Sequence, residues 1–112
     1  MLLRDICEKL DLKVLAGSTA MDNEIEGVYI CDLLSWVMAH AKKNDAWITV
    51  MTHSNIIAVA SLLELGCIIV PEDIEVEADS LTKADEEGIP VLSSSRSSFN
   101  IAVALHTLGI GK

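Results

Sequence analysis

The chain has 112 residues, of which 51% are hydrophobic and 22% charged, and its 8 Lys and Arg against 17 Asp and Glu give a net charge of −9. This length is typical of one domain with its own core, so we expect a single domain over residues 1–112. The apolar content excludes a disordered chain. The negative charge repels phosphate backbones and anionic lipid, which disfavours nucleic acid and membrane surfaces as partners.

Three sequence features indicate a cytoplasmic protein. The longest charge-free central stretch, Ala46 to Leu63, carries polar residues at 52–55, which a spanning helix would expose to hydrocarbon. The first residues mix charged with apolar side chains and lack the continuous apolar segment of a signal peptide. Cys7, Cys31 and Cys67 are odd in number and lack CxxC spacing, so we expect neither a disulfide framework nor a zinc site.

The first forty residues predict two helices and one strand. Apolar side chains at helical spacing predict a helix over about residues 2–10, and the apolar run 14–16 then ends at a glycine. Residues 27–31 have the aromatic and β-branched side chains of a buried strand. Asp32 follows at the N-cap position of a helix whose apolar stripe runs through residues 33–41.

The rest of the chain repeats a strand–helix unit three times. Strand-like runs begin about 21 or 22 residues apart, at 46–51, 67–70 and 89–92. The helices predicted to follow them are 54–65, 77–87 and 98–108. Gly66, Gly88 and Gly109 stand just past these helices, where a left-handed residue closes a helix at least cost. Strands and helices alternating over short connections predict an α/β fold, with a mainly parallel sheet and helices on both faces.

Polar loops follow the predicted strands at the edge where parallel sheets bind ligands, beside helix N-termini. Five serines surround Arg96, and hydroxyls with a guanidinium form an anion-binding composition. Helix capping alone explains Ser54, Asn55 and Ser98 equally well. The candidate ligand-binding residues on this edge are Asp32, Thr52, His53, Ser54, Asn55, Ser93, Ser95, Arg96, Ser97 and Ser98.

Signatures of catalysis and of metal binding are missing from the sequence. The Gly-Lys pair at residues 111–112 has nothing after it to complete a phosphate-binding loop. The histidines lack HxxxH spacing, and the sequence contains neither G-x-S-x-G nor a Cys beside a His. We therefore expect no catalytic residues, no metal and no cofactor.

Four segments carry a resemblance to a known family: GVYICDLLS at 27–35, NDAWITV at 44–50, THSNIIAVA at 52–60 and GIPVLS at 88–93. The chain resembles a single-copy DRTGG domain, the module found as a regulatory insert in CBS-domain inorganic pyrophosphatases and in long phosphotransacetylases. It is also similar to the N-terminal domain of HPr kinase/phosphorylase. More remotely, it is similar to the uridine-nucleotide-binding N-domain of Mur ligases. The resemblance covers nearly the whole chain.

The resemblance implies a small α/β module, commonly dimeric, that regulates or binds without catalysing. The kinase chemistry of HPr kinase lies in a separate domain, which bears the phosphate-binding loop. Family members tend to carry Thr-Gly-Gly after the third strand, where this chain has Val70-Pro71-Glu72. Pro removes an N–H and Glu adds negative charge, which disfavours phosphate binding at this loop.

Two functions remain in competition. The first is a regulatory domain that forms a homodimer and contacts a partner protein, because its apolar side chains exceed what so small a domain hides easily. Trp36 with Val37 and Met38, or Trp47, would supply the interface anchor unless these side chains are core. The alternative is a sensor of an anionic metabolite or nucleotide at the carboxyl edge of the strands, which a concave site there would favour. An enzyme ranks third.

Overall fold

The computed structural model describes residues 1–111, which form one sheet flanked by α-helices and a short 3-10 helix at Ser18–Ala20. In chain order, the elements are α1 (Leu3–Leu10), β1 (Lys13–Ala16), β2 (Gly27–Ile30), α2 (Leu34–His40), β3 (Asp45–Ile48), α3 (Asn55–Leu63), β4 (Cys67–Val70), α4 (Ala78–Glu87), β5 (Val91–Ser93) and α5 (Ser98–Thr107). None of the helices in these residues has the length and apolar character needed to cross a bilayer.

The strands lie in the order β1-β5-β4-β3-β2. β2, β3, β4 and β5 run parallel, whereas β1 pairs antiparallel with β5 at the edge. The mainly parallel α/β fold that the sequence predicts is therefore confirmed. The apolar run 14–16 belongs to β1, a strand too short to display a strand periodicity in the sequence.

Helices cover both faces of the sheet, and each face has its own hydrophobic core. α1 and α5 pack on one face, and α2, α3 and α4 pack on the other. Successive residues of a strand point to opposite faces, so Ala46 and Ile48 of β3 join the first core and Trp47 joins the second. β3 and β4 are buried along their whole length, as central strands of a parallel sheet are.

The region around β2 and α2 differs from the prediction. β2 is an edge strand and is only partly buried, because no further strand within residues 1–111 pairs with it. Asp32 is not the N-cap of α2, which begins at Leu34 and has Leu33 at the cap position. Val37 of this helix is buried and Leu34 is partly buried, whereas Leu33 and Met38 of the predicted apolar stripe are exposed.

Two of the three glycines predicted to close helices do so. Gly88 and Gly109 have φ of +67° and +96° after α4 and α5. The prediction for Gly66 is wrong, because Glu64 takes the left-handed conformation at the end of α3, with φ of +55°. A Cβ at position 66 would collide with Cδ1 of Ile25, so any other residue here would require the Ile25 side chain to shift.

Candidate functional site

The carboxyl ends of β2, β3, β4 and β5 meet at one edge of the sheet, because these strands are parallel. The loops that follow them carry the ligand-binding residues that the sequence predicts. We call this the carboxyl edge. Its loops fall into two groups, one after β2 and β3 and one after β4 and β5.

Asp32 links the end of β2 to the end of β3 by hydrogen bonds. Its Oδ1 accepts hydrogen bonds from Oγ1 of Thr49 (2.8 Å) and from the backbone N–H of Val50 (2.9 Å). Thr49 is only 1% exposed, and its hydroxyl also accepts from the N–H of Met51 (3.2 Å). The carboxylate of Asp32 therefore has a structural task that the sequence does not reveal.

The loop 52–55 docks onto α4. The backbone oxygen of Thr52 accepts a hydrogen bond from Oγ of the buried Ser80 (2.7 Å), and Oγ1 of Thr52 donates to Oε2 of Glu77 (3.4 Å). His53 is exposed, and its Nδ1 accepts from the N–H of Asn55, the exposed first residue of α3 (3.3 Å). Ser54 occupies the N-cap position without a capping hydrogen bond. The imidazole thus satisfies the N–H of the first residue of α3.

The serine-rich loop after β5 is organised by its own hydrogen bonds. Ser97 caps α5 by accepting from the N–H of Asn100 (3.2 Å), and the buried Ser94 accepts from the N–H of Arg96 (3.1 Å). Nη1 of Arg96 donates to the carbonyl oxygen of Leu10 (2.6 Å). Arg96 therefore satisfies a carbonyl at the end of α1, one of the groups that a helix terminus leaves unpaired.

The remaining serines of this loop have different surroundings. Ser95 is exposed, and Ser98 is the half-buried first residue of α5. Ser93 ends β5 and lines a cavity of about 480 Å³ together with Lys13 and Asp73. These hydroxyls do not converge on one point.

The guanidinium of Arg96 and the loop 52–55 are directed to opposite faces of the sheet. Arg96 reaches α1, whereas Thr52 contacts α4, and β4 separates β3 from β5. The neighbour of the Arg96 loop is instead the acidic turn after β4. Glu72 donates its N–H to the Arg96 carbonyl, and Asp73 donates its N–H to the Ser94 carbonyl (both 2.9 Å).

The two tryptophans have opposite environments. Trp47 and Val37 are fully buried and belong to the core, whereas Trp36 is 55% and Met38 48% exposed. The exposed apolar side chains Ile30, Leu33, Trp36 and Val50 surround the end of β2 and the start of α2. We call these four residues the α2 patch.

Cys7 and Cys67 are buried, and Cys31 is partly exposed. Burial raises the pKa of the Cys7 thiol to about 11 and raises the pKa of Cys67 further. A thiol that stays protonated at neutral pH is a poor nucleophile and a poor metal ligand. Within residues 1–111, no group of three or more His, Cys, Asp or Glu side chains is placed to hold a metal ion.

A second cavity lies at the opposite end of β2 and β3, where sequence reasoning placed no site. It has a volume of about 590 Å³, and its lining consists of Glu26, Gly27, Val28, Tyr29, His40, Lys42, Lys43, Asp45 and Gly111. Lys42 and Lys43 signal it in the sequence, but two lysines after a helix are explained equally well by the negative end of the helix dipole.

A solved structure shares this fold. The chain superposes with a TM-score of 0.74 and 15% identity on the CBS and DRTGG domains of the regulatory region of Clostridium perfringens pyrophosphatase, complexed with the activator diadenosine tetraphosphate. The match covers 93% of this chain and 45% of that chain, so this chain spans less than half the length of its structural relative.

At 15% identity this likeness establishes the fold alone, and the family rests on the sequence. No curated protein matches the chain significantly. The sequence profile of the DRTGG domain, however, matches residues 5–108, from α1 to the end of α5. The chain therefore belongs to the DRTGG domain family.

Proposed function

We propose that the chain is a non-catalytic regulatory domain over residues 1–112 that acts in the cytoplasm through self-association and contact with a partner protein. In the C. perfringens pyrophosphatase, the DRTGG domain lies in the regulatory region, which supports a regulatory role. The observation that carries the proposal is the α2 patch, whose four large apolar side chains are between 43% and 59% exposed. Clustered exposed apolar side chains are typical of interaction surfaces.

A second copy of the chain fits this surface because β2 beside it is an unpaired edge. The N–H of Cys31 donates to the carbonyl of Ile48, so this residue faces β3. Backbone groups alternate in direction along a strand, and Val28 and Ile30 therefore direct theirs away from the sheet. Such an edge pairs readily with another strand. Two copies related by a two-fold axis would each contribute the same edge and the same patch.

The net charge of −9 determines how this association depends on salt. Two copies repel each other at long range, so the dimer must be held by apolar contact and by backbone pairing. At physiological ionic strength, salt screens the repulsion between charges that are more than about 8 Å apart. It leaves the apolar contact intact. We therefore expect self-association to strengthen between low and high salt.

Sedimentation velocity at micromolar concentration tests the proposal. The wild-type chain is expected to sediment as a dimer and the Trp36→Glu variant as a monomer. Phe99→Glu is the matched control, because Phe99 is also an exposed aromatic residue, 73% exposed, but lies on α5. A wild-type monomer throughout this range would overturn self-association, and a Phe99→Glu monomer would place the interface elsewhere.

A second candidate function is the binding of an anionic small molecule at the carboxyl edge. The C. perfringens structure contains such a molecule, diadenosine tetraphosphate, which supports the ligand class. On this chain, Ser95 and Arg96 are exposed beside the N-terminus of α5. If a nucleotide or phosphate binds here, Arg96→Ala should weaken it by about 1.5–3 kcal/mol, the range of a charge-assisted hydrogen bond. An affinity unchanged in both Arg96→Ala and Ser54→Ala would refute this location.

A further inference from the structure

We propose that the cavity of about 590 Å³ beside the start of β2 and β3 binds a nucleoside phosphate. The inference takes its ligand class from the second candidate function but assigns the site to the opposite end of the strands. The volume lies within the range of about 300–1,000 Å³ that small-molecule sites occupy. Three chemical features of the lining support this ligand.

The first feature is a carboxylate acceptor at the base of the cavity. Asp45 is 8% exposed, and its Oδ2 accepts a hydrogen bond from the N–H of Lys42 (2.8 Å). Oδ1 lies against Gly27, where a Cβ would collide with it. Within residues 1–111, no buried polar side-chain atom lacks a partner, and Oδ1 receives no side-chain or backbone donor. Oδ1 therefore keeps its acceptor capacity with respect to residues 1–111 and can accept from a ligand hydroxyl.

The second feature is a pair of adjacent ammonium groups. Lys42 and Lys43 line the cavity and are two of the 8 basic residues of the chain. Lys43 lies 3.4 Å from Glu64, but both side chains are about two-thirds exposed, so this ion pair contributes little. Lys42 forms no ion pair with any residue between 1 and 111. Both ammonium groups can therefore bind a phosphate.

The third feature is an aromatic wall formed by Tyr29 and His40. The ring of His40 stacks on Trp36, with 4.3 Å between the ring centroids, and Nδ1 of His40 lies 3.0 Å from the Trp36 carbonyl oxygen. One face of the imidazole thus lies against Trp36. Nucleobases stack on such side chains with little preference among bases. A molecule with a base, hydroxyls and a phosphate matches the wall, the carboxylate and the lysines together.

Isothermal titration of the full chain with AMP, ribose 5-phosphate and inorganic phosphate tests the assignment. AMP is expected to bind most tightly and inorganic phosphate least. Lys42→Ala and Lys43→Ala should each weaken AMP binding about tenfold, since each removes one charge-assisted contact. His40→Ala should weaken AMP binding but leave ribose 5-phosphate unchanged, because only AMP carries a base. Lys9→Ala, on the exposed side of α1, is the matched control and should change nothing.

The carboxyl-edge variants separate this inference from the function on which it rests. Binding that is lost in Arg96→Ala and kept in the Lys42→Ala and Lys43→Ala variants would overturn the cavity assignment and support the carboxyl edge. No binding of any probe at millimolar concentration would overturn both, while the sedimentation result would stand by itself. If Lys9→Ala weakened AMP binding as much as Lys42→Ala and Lys43→Ala do, AMP would be attracted to lysines without specificity. This result would also overturn the assignment. Circular dichroism of each variant confirms that the fold is retained.

Discussion

Replacing Gly17 by Ala is expected to destabilise the fold severely. This position combines a left-handed backbone with direct contact to the backbone segment that leads into β5. Gly17 has φ of +72° at the end of β1. A Cβ there would collide with the carbonyl oxygen of Ile89 and lie 2.5 Å from the nitrogen of Pro90. These are backbone atoms just before β5 and have no rotamer to change. The N–H of Gly17 also donates to Oδ1 of Asp85 (2.8 Å), which fixes the segment from the other side.

The expected loss has two parts that a control variant separates. A left-handed conformation costs Ala about 1–2 kcal/mol relative to Gly, and forcing an extra methyl group into a packed site costs about 1–3 kcal/mol more. Gly88 has nearly the same φ, +67°, but the nearest atom to its added Cβ is Oγ1 of Thr19 at 3.9 Å. Gly88→Ala should therefore lose only the conformational part.

Urea unfolding monitored by circular dichroism measures both variants against the wild type. Gly17→Ala should lower the free energy of unfolding by about 2–5 kcal/mol and Gly88→Ala by about 1–2 kcal/mol. The total stability of a domain is typically about 5–15 kcal/mol, so the first variant approaches the folding threshold. Equal losses in the two variants would refute the reasoning, because they would show that the backbone before β5 yields to the methyl group.

Three further predictions follow from single contacts. Asp32→Ala should lower the free energy of unfolding by about 1–3 kcal/mol in a urea titration, because it leaves the buried Thr49 hydroxyl without its acceptor; an unchanged midpoint would contradict this. Iodoacetamide at pH 7.5 should modify Cys31 in the native chain and reach Cys7 and Cys67 only after unfolding, as mass spectrometry would record; modification of all three at one rate would contradict their burial. Labelled ATP and HPr should show no phosphoryl transfer with the purified chain, and transfer above background would reveal a catalytic site that the sequence motifs miss.

The sequence predicts the elements that carry their own apolar pattern, and α1 and β2 match their predicted bounds as closely as the elements of the later repeat do. The three strand–helix units after residue 45 contain apolar runs and helix-ending signals that agree with one another, and β4 coincides with its prediction. β1 and the end of α2 depend on tertiary contacts instead. β1 is recognised as a strand only through its pairing with β5, and the helical pattern at 33–41 continues past the point where α2 actually stops, at His40.

The position of the candidate loops follows from the sequence, but the direction in which their side chains point does not. Parallel pairing places each predicted loop on one edge of the sheet, and this follows from the repeat alone. The direction of Arg96 depends on Leu10, which lies 86 residues away along the chain. No local pattern encodes that distance. The same limit applies to Trp36 and Trp47, which both lie among apolar neighbours in the sequence, although one is exposed and the other is core.

α2 connects the two proposed surfaces, so dimerisation and ligand binding should influence each other. Trp36 belongs to the α2 patch, and its ring stacks on His40, which lines the proposed nucleotide cavity. Val37 and the partly buried Leu34 are the residues of this seven-residue helix that pack on the core. If the cavity binds AMP better in one association state, the dimer dissociation constant must change by the square of that affinity ratio on saturation with AMP, because each dimer carries two cavities. Sedimentation with and without AMP measures this factor. An identical dissociation constant in both would show that Trp36 transmits nothing to His40, even if each site works alone.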